Sequence, residues 1–193
     1  MHAALLKGED GRDFTLHEIA GALAFGREHH PLRMSVVAET GAAAVERLEA
    51  FAAGRRRNGL VSATARGAGR KLGFVFSGMG QQWWAMGRGL LANEPVFAAR
   101  IGEIDALFGA LTSEWSLLSV LGAAESESMI DRTELAQPAI FALQVALADL
   151  WRSVGVVPDI VAGHSIGEVA AAHVAGVLSL EDAVLVCFHR SRL

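Results

Sequence analysis

The chain has 193 residues, 52% of them hydrophobic and 20% charged, with a formal net charge of −4. Such a composition builds a core in one or two small domains and excludes a disordered chain, and its acidic balance offers no basic face for nucleic acid. A single cysteine, Cys187, excludes an internal disulfide and suits a reducing compartment; no apolar run is long enough for a membrane span, and Lys7, Glu9, Asp10 and Arg12 break any signal-peptide pattern, so the expected location is the cytoplasm.

Residues 1–13 are polar and read as a loose lead-in. Leu16, Ile19 and Leu23 recur at helical spacing and predict a helix over 15–25, capped by Thr15 or Asp13. His29 and His30 are adjacent and diverge on any regular element, so they read as surface histidines near a turn and not as a metal pair. A strand is predicted over 33–39, a second helix over 42–53 with Val45, Leu48 and Ala52 on one face, and a second strand over 60–65. The basic stretch 54–59 reads as a solvated turn. Residues 1–66 thus form a small helix-strand-helix-strand domain, and the glycine-containing stretch 66–71 reads as a linker.

The second domain opens on an apolar strand at 73–76, expected to be buried on both faces of a parallel sheet. It runs into the glycine loop Ser77-Gly78-Met79-Gly80-Gln81-Gln82-Trp83-Trp84, at the strand end where open α/β sheets bind ligands. The loop lacks the spacing and lysine of a phosphate loop. A helix is predicted over 95–108, and 111–127 reads as irregular or partly helical. The longest helix starts near Glu134 or Pro138 and runs to Val154, with Pro138 suited to a first turn. Ile140, Leu143, Leu147 and Leu150 lie along one face of it, and Gly155 ends it.

A short apolar strand, 160–162, then feeds Gly163-His164-Ser165-Ile166-Gly167, and a helix is predicted over 168–178 with Val169, Ala172 and Gly176 on one face. Strand, sharp turn and helix around Gly-x-Ser-x-Gly are the setting of an exposed nucleophile. Gly163 and Gly167 let the backbone bend, the turn lifts the Ser165 hydroxyl off the sheet, and the Ile166 amide points where an oxyanion would form. The competing reading is a serine that merely caps the helix. The last helix starts at Ser179 with an acidic first turn, continues to the chain end, and is apolar almost all round, so burial is expected, with Cys187 a core residue. Arg190 and Arg192 are equal candidates for an anionic partner, either structural or a substrate carboxylate.

Four motifs in this order carry a resemblance: Gly78-Met79-Gly80-Gln81-Gln82-Trp83, Ala136-Gln137-Pro138-Ala139, Gly163-His164-Ser165-Ile166-Gly167-Glu168 and Arg190-Ser191-Arg192-Leu193. Residues 71–193 resemble the acyltransferase domain of type I polyketide synthases and animal-type fatty acid synthases. Residues 1–66 look like the small α/β linker between ketosynthase and acyltransferase. The resemblance implies an α/β-hydrolase-like parallel-sheet subdomain that moves a malonyl or methylmalonyl unit from coenzyme A, through an ester on Ser165, to the phosphopantetheine thiol of an acyl carrier protein. It implies no cofactor or metal within the domain, and a neighbouring ketosynthase. It makes the backbone amides of Met79 and Ile166 the oxyanion hole and Arg190 the ligand of the malonyl carboxylate. It puts Gln137 near the pocket, and leaves His164 to shape the elbow with Gly163 and Gly167. The family's general-base histidine follows an inserted ferredoxin-like subdomain; neither has a match before Leu193, and His173 and His189 have no motif support. The chain is therefore expected to be a C-terminally truncated, nearly inactive piece of such a domain. The rival readings are a serine esterase of α/β-hydrolase type and a non-catalytic linker or docking remnant.

Overall fold

A computed structural model describes residues 14–65 and 69–193. The expected lead-in at 1–13, the alternative cap Asp13 and residues 66–68 of the linker lie outside them. The chain divides into two compact units, Met1–Arg70 and Lys71–Leu193.

In the first unit, α1 (Leu16–Phe25) starts on Thr15. The Glu18 amide donates to Thr15 Oγ1 at 3.2 Å, and the Thr15 amide donates to Glu18 Oε2 at 2.9 Å, a reciprocal pair that satisfies two free donors of the first turn. The Thr15 amide, then its hydroxyl, holds the Glu18 carboxyl below its ordinary value. Strands β1 (Leu32–Val36) and β2 (Leu60–Thr64) pair antiparallel, with Val36 opposite Leu60. β1 stops short of the predicted Glu39 because the ladder ends at the turn: the Val37 amide donates to Gly59, whose φ of 76° no side chain adopts easily. Helix α2 (Gly41–Ala52), capped by Thr40, packs on β1.

In the second unit, β3 (Gly73–Phe76) and β4 (Ile160–Gly163) pair parallel, with Phe76 opposite Gly163. Around them lie α3 (Arg88–Asn93), α4 (Pro95–Leu111), α5 (Leu117–Gly122), α6 (Thr133–Ser153), α7 (Gly167–Val174) and α8 (Leu180–Arg190). The fold class is α/β. Helix α6 is its axis: α4, α5, α7 and α8 all pack on it, and α7 in turn covers both strands. Ala139, Ala142 and Ala146 let neighbouring backbones come close, while Phe97, Ile101, Ile104 and Phe108 of α4 meet Phe141 and Val145 of α6 in the core.

Four expectations are corrected. The sheet is not buried on both faces: Phe76 is buried, but Val75 is 81% and Ile160 54% exposed, because α7 covers one face and no described element covers the other. Pro138 is interior to one continuous helix, not in a first turn. Its missing N–H deprives only the carbonyl of Glu134, within the first turn, where solvent can serve instead. The elbow helix ends at Val174, because Gly176 takes φ 77° and stops it instead of lying on its face. The last helix ends at Arg190 and is one-sided: Ala183, Val184 and Cys187 are buried while Leu185 and Val186 are more than two-fifths exposed.

Polar ties fix the helices to one another. Arg100 of α4 donates to Asp149 of α6 at 2.5 Å, and Asp149 also faces Arg152 at 3.5 Å. Arg152 reaches the Val174 carbonyl at 2.6 Å, a cation at the C-terminal end of α7 where the helix dipole favours one. Arg88 stacks on Trp84 at 4.5 Å, and both donate to the Ala123 carbonyl beyond α5. Among the described residues no helix is long and apolar enough to cross a membrane, and no group of three or more His, Cys, Asp and Glu is placed to hold a metal.

Asp149→Ala leaves two arginines without their shared anion, and should lower stability by about 2–3 kcal/mol in urea unfolding; an unchanged midpoint would mean that solvent already serves both cations. Burial pushes the Cys187 thiol far up from its ordinary value. Between the ordinary thiol range and that raised value the unfolded chain ionises Cys187 and the folded one does not, so stability should fall as pH climbs above that range. Iodoacetamide at pH 8 should leave Cys187 unmodified until denaturant is added, as followed by intact mass.

Candidate active site

Ser165 sits between β4 and α7 with φ 56°, one of two described non-glycine residues at positive φ. A serine held there costs about 1 kcal/mol or more and persists only where the surroundings impose it. The surroundings do so at several points. The His164 amide donates to Phe76 at 3.0 Å, the Gly167 amide to His164 at 3.0 Å, and the Glu168 amide to Ser165 at 3.0 Å. A Cβ on Gly167 would lie 2.2 Å from the Phe76 carbonyl oxygen, and one on Gly163 would lie 2.4 Å from Glu168 Cα. A Cβ on Gly78 would meet His164 Nδ1 at 2.8 Å and Ser165 Cβ at 3.1 Å. Three glycines from two motifs are thus the space into which the elbow fits. The capping reading falls, since α7 takes Ile166 at its cap position and carries no side-chain cap.

Ser165 Oγ accepts a hydrogen bond from Arg190 Nη2 at 2.9 Å. Among the described residues no carboxylate pairs with Arg190. Arg192 turns away: it pairs with Glu114 at 3.1 Å and stacks on Phe188 at 4.1 Å. Geometry therefore separates two arginines that spacing leaves equal. Met79 is half-exposed and Ile166 fully buried, and among the described residues neither amide has an acceptor. Gln137 bonds to neither Ser165 nor Arg190, and its buried Oε1 has no donor. His164 is exposed, with its Nδ1 beside Gly78; His173 bonds the Leu178 carbonyl at 3.1 Å, and His189 meets Phe188 edge-on. No described histidine is bonded to Ser165.

Sequence reasoning misses Gln144. Its Nε2 donates to the Ser77 carbonyl at 2.8 Å, tying α6 to the loop that holds Met79. A signal is present: Gln144 is the only polar residue between Ala139 and Ala148.

The sequence profile of the acyl transferase domain family matches residues 73–193. The chain belongs to the acyl transferase domain family. It is similar to erythronolide synthase EryA2 of Saccharopolyspora erythraea, 43% identical over 94% of this chain and 5% of that protein. It is 46% identical to the spectinabilin polyketide synthase system protein NorA of Streptomyces orinoci, over 91% of this chain and 9% of that protein. Among solved structures, the acyltransferase domain from module 8 of the salinomycin polyketide synthase matches with TM-score 0.85 and 36% identity, covering 99% of this chain and 45% of that one. The acyl transferase domain of SpnD, solved in complex with 2-(pent-4-yn-1-yl)malonyl, matches with TM-score 0.81 and 29% identity, covering 98% of this chain and 43% of that one. This acyl transferase chain therefore spans less than half of either solved domain, and less than a tenth of either synthase protein.

In this acyl transferase fold Gly167→Ala drives a methyl into the Phe76 carbonyl. The expected loss is about 3 kcal/mol or more in thermal or urea unfolding, with the elbow displaced. An alanine variant as stable as the parent would show that α7 can shift off β3 without cost.

Proposed function

We propose that the second unit transfers a malonyl-type acyl group. Ser165 Oγ attacks the thioester carbonyl of malonyl- or methylmalonyl-coenzyme A, the carbon–sulfur bond breaks, and coenzyme A leaves as the thiol. The phosphopantetheine thiol of an acyl carrier protein then attacks the seryl ester and restores Ser165. The oxyanion of each tetrahedral intermediate lies against the backbone amides of Ile166 and Met79, both without an acceptor among the described residues.

One observation carries this reading: a guanidinium with no described carboxylate partner stands 2.9 Å from the elbow hydroxyl. A planar cation there suits a substrate that brings its own carboxylate, and Arg190 would grip it with paired hydrogen bonds. Gln137, with a buried oxygen lacking a donor, is proposed to line the pocket on the same helix as Gln144. The proton of Ser165 needs a base, and no described histidine is bonded to Oγ, so we assign that role to a residue outside the described ones. The first unit, helix-strand-helix-strand, is proposed to be the linker to a ketosynthase. An esterase reading leaves the unpaired arginine beside the nucleophile without a purpose, and a docking remnant leaves the strained serine without one.

The test is labelling of Ser165 by malonyl and acetyl thioesters, with the chain carried within a complete acyl transferase domain that supplies the base, read by peptide mass spectrometry. Malonyl should be preferred, and Ser165→Ala should give no adduct. Arg190→Ala should cut malonyl labelling by about thirtyfold or more, the worth of a charged hydrogen-bond pair, while acetyl labelling changes little. Equal use of the two thioesters by the parent chain would rule the malonyl reading out.

A further inference from the structure

We propose that Gln144 is a positioning residue that aims the Met79 amide at the developing oxyanion. The inference rests on the acyl-transfer reading above. The loop after β3 leaves the sheet through Phe76, Ser77 and Gly78 before reaching Met79. Each of the three preceding residues is held from a different direction. The Phe76 carbonyl accepts from the His164 amide at 3.0 Å, and so belongs to the elbow. Gly78 rests against His164 and Ser165 at a distance that admits no Cβ. Only the Ser77 carbonyl is held from outside the elbow, by Gln144 Nε2 at 2.8 Å, with Ser77 Oγ at 3.4 Å from the same nitrogen. The Met79 donor is hinged on two glycines, Gly78 and Gly80, with Gly80 at φ 112°; its far side is tied by the Gly80 amide donating to Gln82 Oε1 at 2.7 Å, which leaves its near side to Ser77.

The amide of Gln144 has a forced orientation. Its NH₂ faces a carbonyl, because its own oxygen there would set acceptor against acceptor. That leaves Gln144 Oε1 buried with no donor. A buried acceptor without a partner is a departure from ordinary side-chain choice, and an apolar residue of the same length would remove it. Packing alone therefore does not call for glutamine at this place in an otherwise apolar stretch of α6. The Ser77 tie does. An oxyanion donor lowers the barrier only if it stands in place before charge develops, and Gln144 supplies that placement without touching the substrate.

The variant Gln144→Met keeps the length, loses the donor and removes the unpaired oxygen. It should melt at the parent temperature or higher. Hydrogen exchange by mass spectrometry should quicken about tenfold in the peptide carrying residues 77–80 and nowhere else. Malonyl labelling of Ser165 should slow about tenfold at saturation, with the half-saturating thioester concentration unchanged, because Arg190 is untouched. Gln144→Glu, which sets a carboxylate against the Ser77 carbonyl, should show the same two effects more strongly. Parent-like exchange at 77–80 in folded Gln144→Met overturns the proposal whatever the labelling does. Faster exchange with parent-like labelling reduces Gln144 to a structural tie and also overturns it. Absence of labelling in the parent sequence carried within a complete acyl transferase domain would sink the acyl-transfer reading, and the exchange measurement would still decide whether Gln144 holds the loop.

Discussion

The contact on which the second unit depends is backbone against backbone: Gly167, the first residue of α7, against the Phe76 carbonyl at the end of β3, closer than any Cβ allows. This approach lets α7 lie directly on the two strands. It forces the chain between β4 and α7 into a turn so tight that Ser165 takes a left-handed conformation. The strain is local, while the forces that impose it are distributed: the Phe76–His164 hydrogen bond, the fit of Gly78 against the elbow, and the packing of buried Ile166, Val169 and Ala170. A strained serine persists only when its surroundings over-determine it. Here they are three glycines and a helix of small residues.

Charge is sorted by the same packing. Arg100 and Arg152 converge on Asp149, Arg88 closes on the carbonyls of Leu121 and Ala123 at the end of α5, and Arg192 is taken up by Glu114 and the face of Phe188. Each spends its guanidinium inside the fold. Arg190, two residues before Arg192, is left with a hydroxyl where a carboxylate would be expected. A cation facing a neutral acceptor is electrostatically incomplete, and in the proposed function an anionic acyl group would complete it.

Much of this is legible in the residue order. The elbow is readable because its parts are local: a strand, a Gly-x-Ser-x-Gly turn and a helix within fifteen residues, 160–174. The cap at Thr15 is equally local, since a capping box spans four residues. Misreadings arise where a distant element decides. Proline's own preference favours a first turn at Pro138, yet the flanking helix is buried on enough faces to continue through it. The strand at 73–76 reads as doubly buried from its composition, but the covering of each face depends on which helices come back over it. Gly176 looks like one more small residue on a helix face, and its positive φ makes it the terminator.

The sequence by itself determined the kinds of element, the sharp turn around Ser165 and the family, because each is written in short-range patterns of residue type. It also named Arg190 and Arg192, and could not choose between them from spacing, since two residues apart on a helix end they differ only in direction. Tertiary structure made that choice by bringing Glu114 and Phe188 to one arginine and Ser165 to the other. It alone brought Gln144 of α6 to the loop after β3, across 67 positions of sequence. No local pattern encodes that meeting, because it exists only once α6 and the sheet have packed.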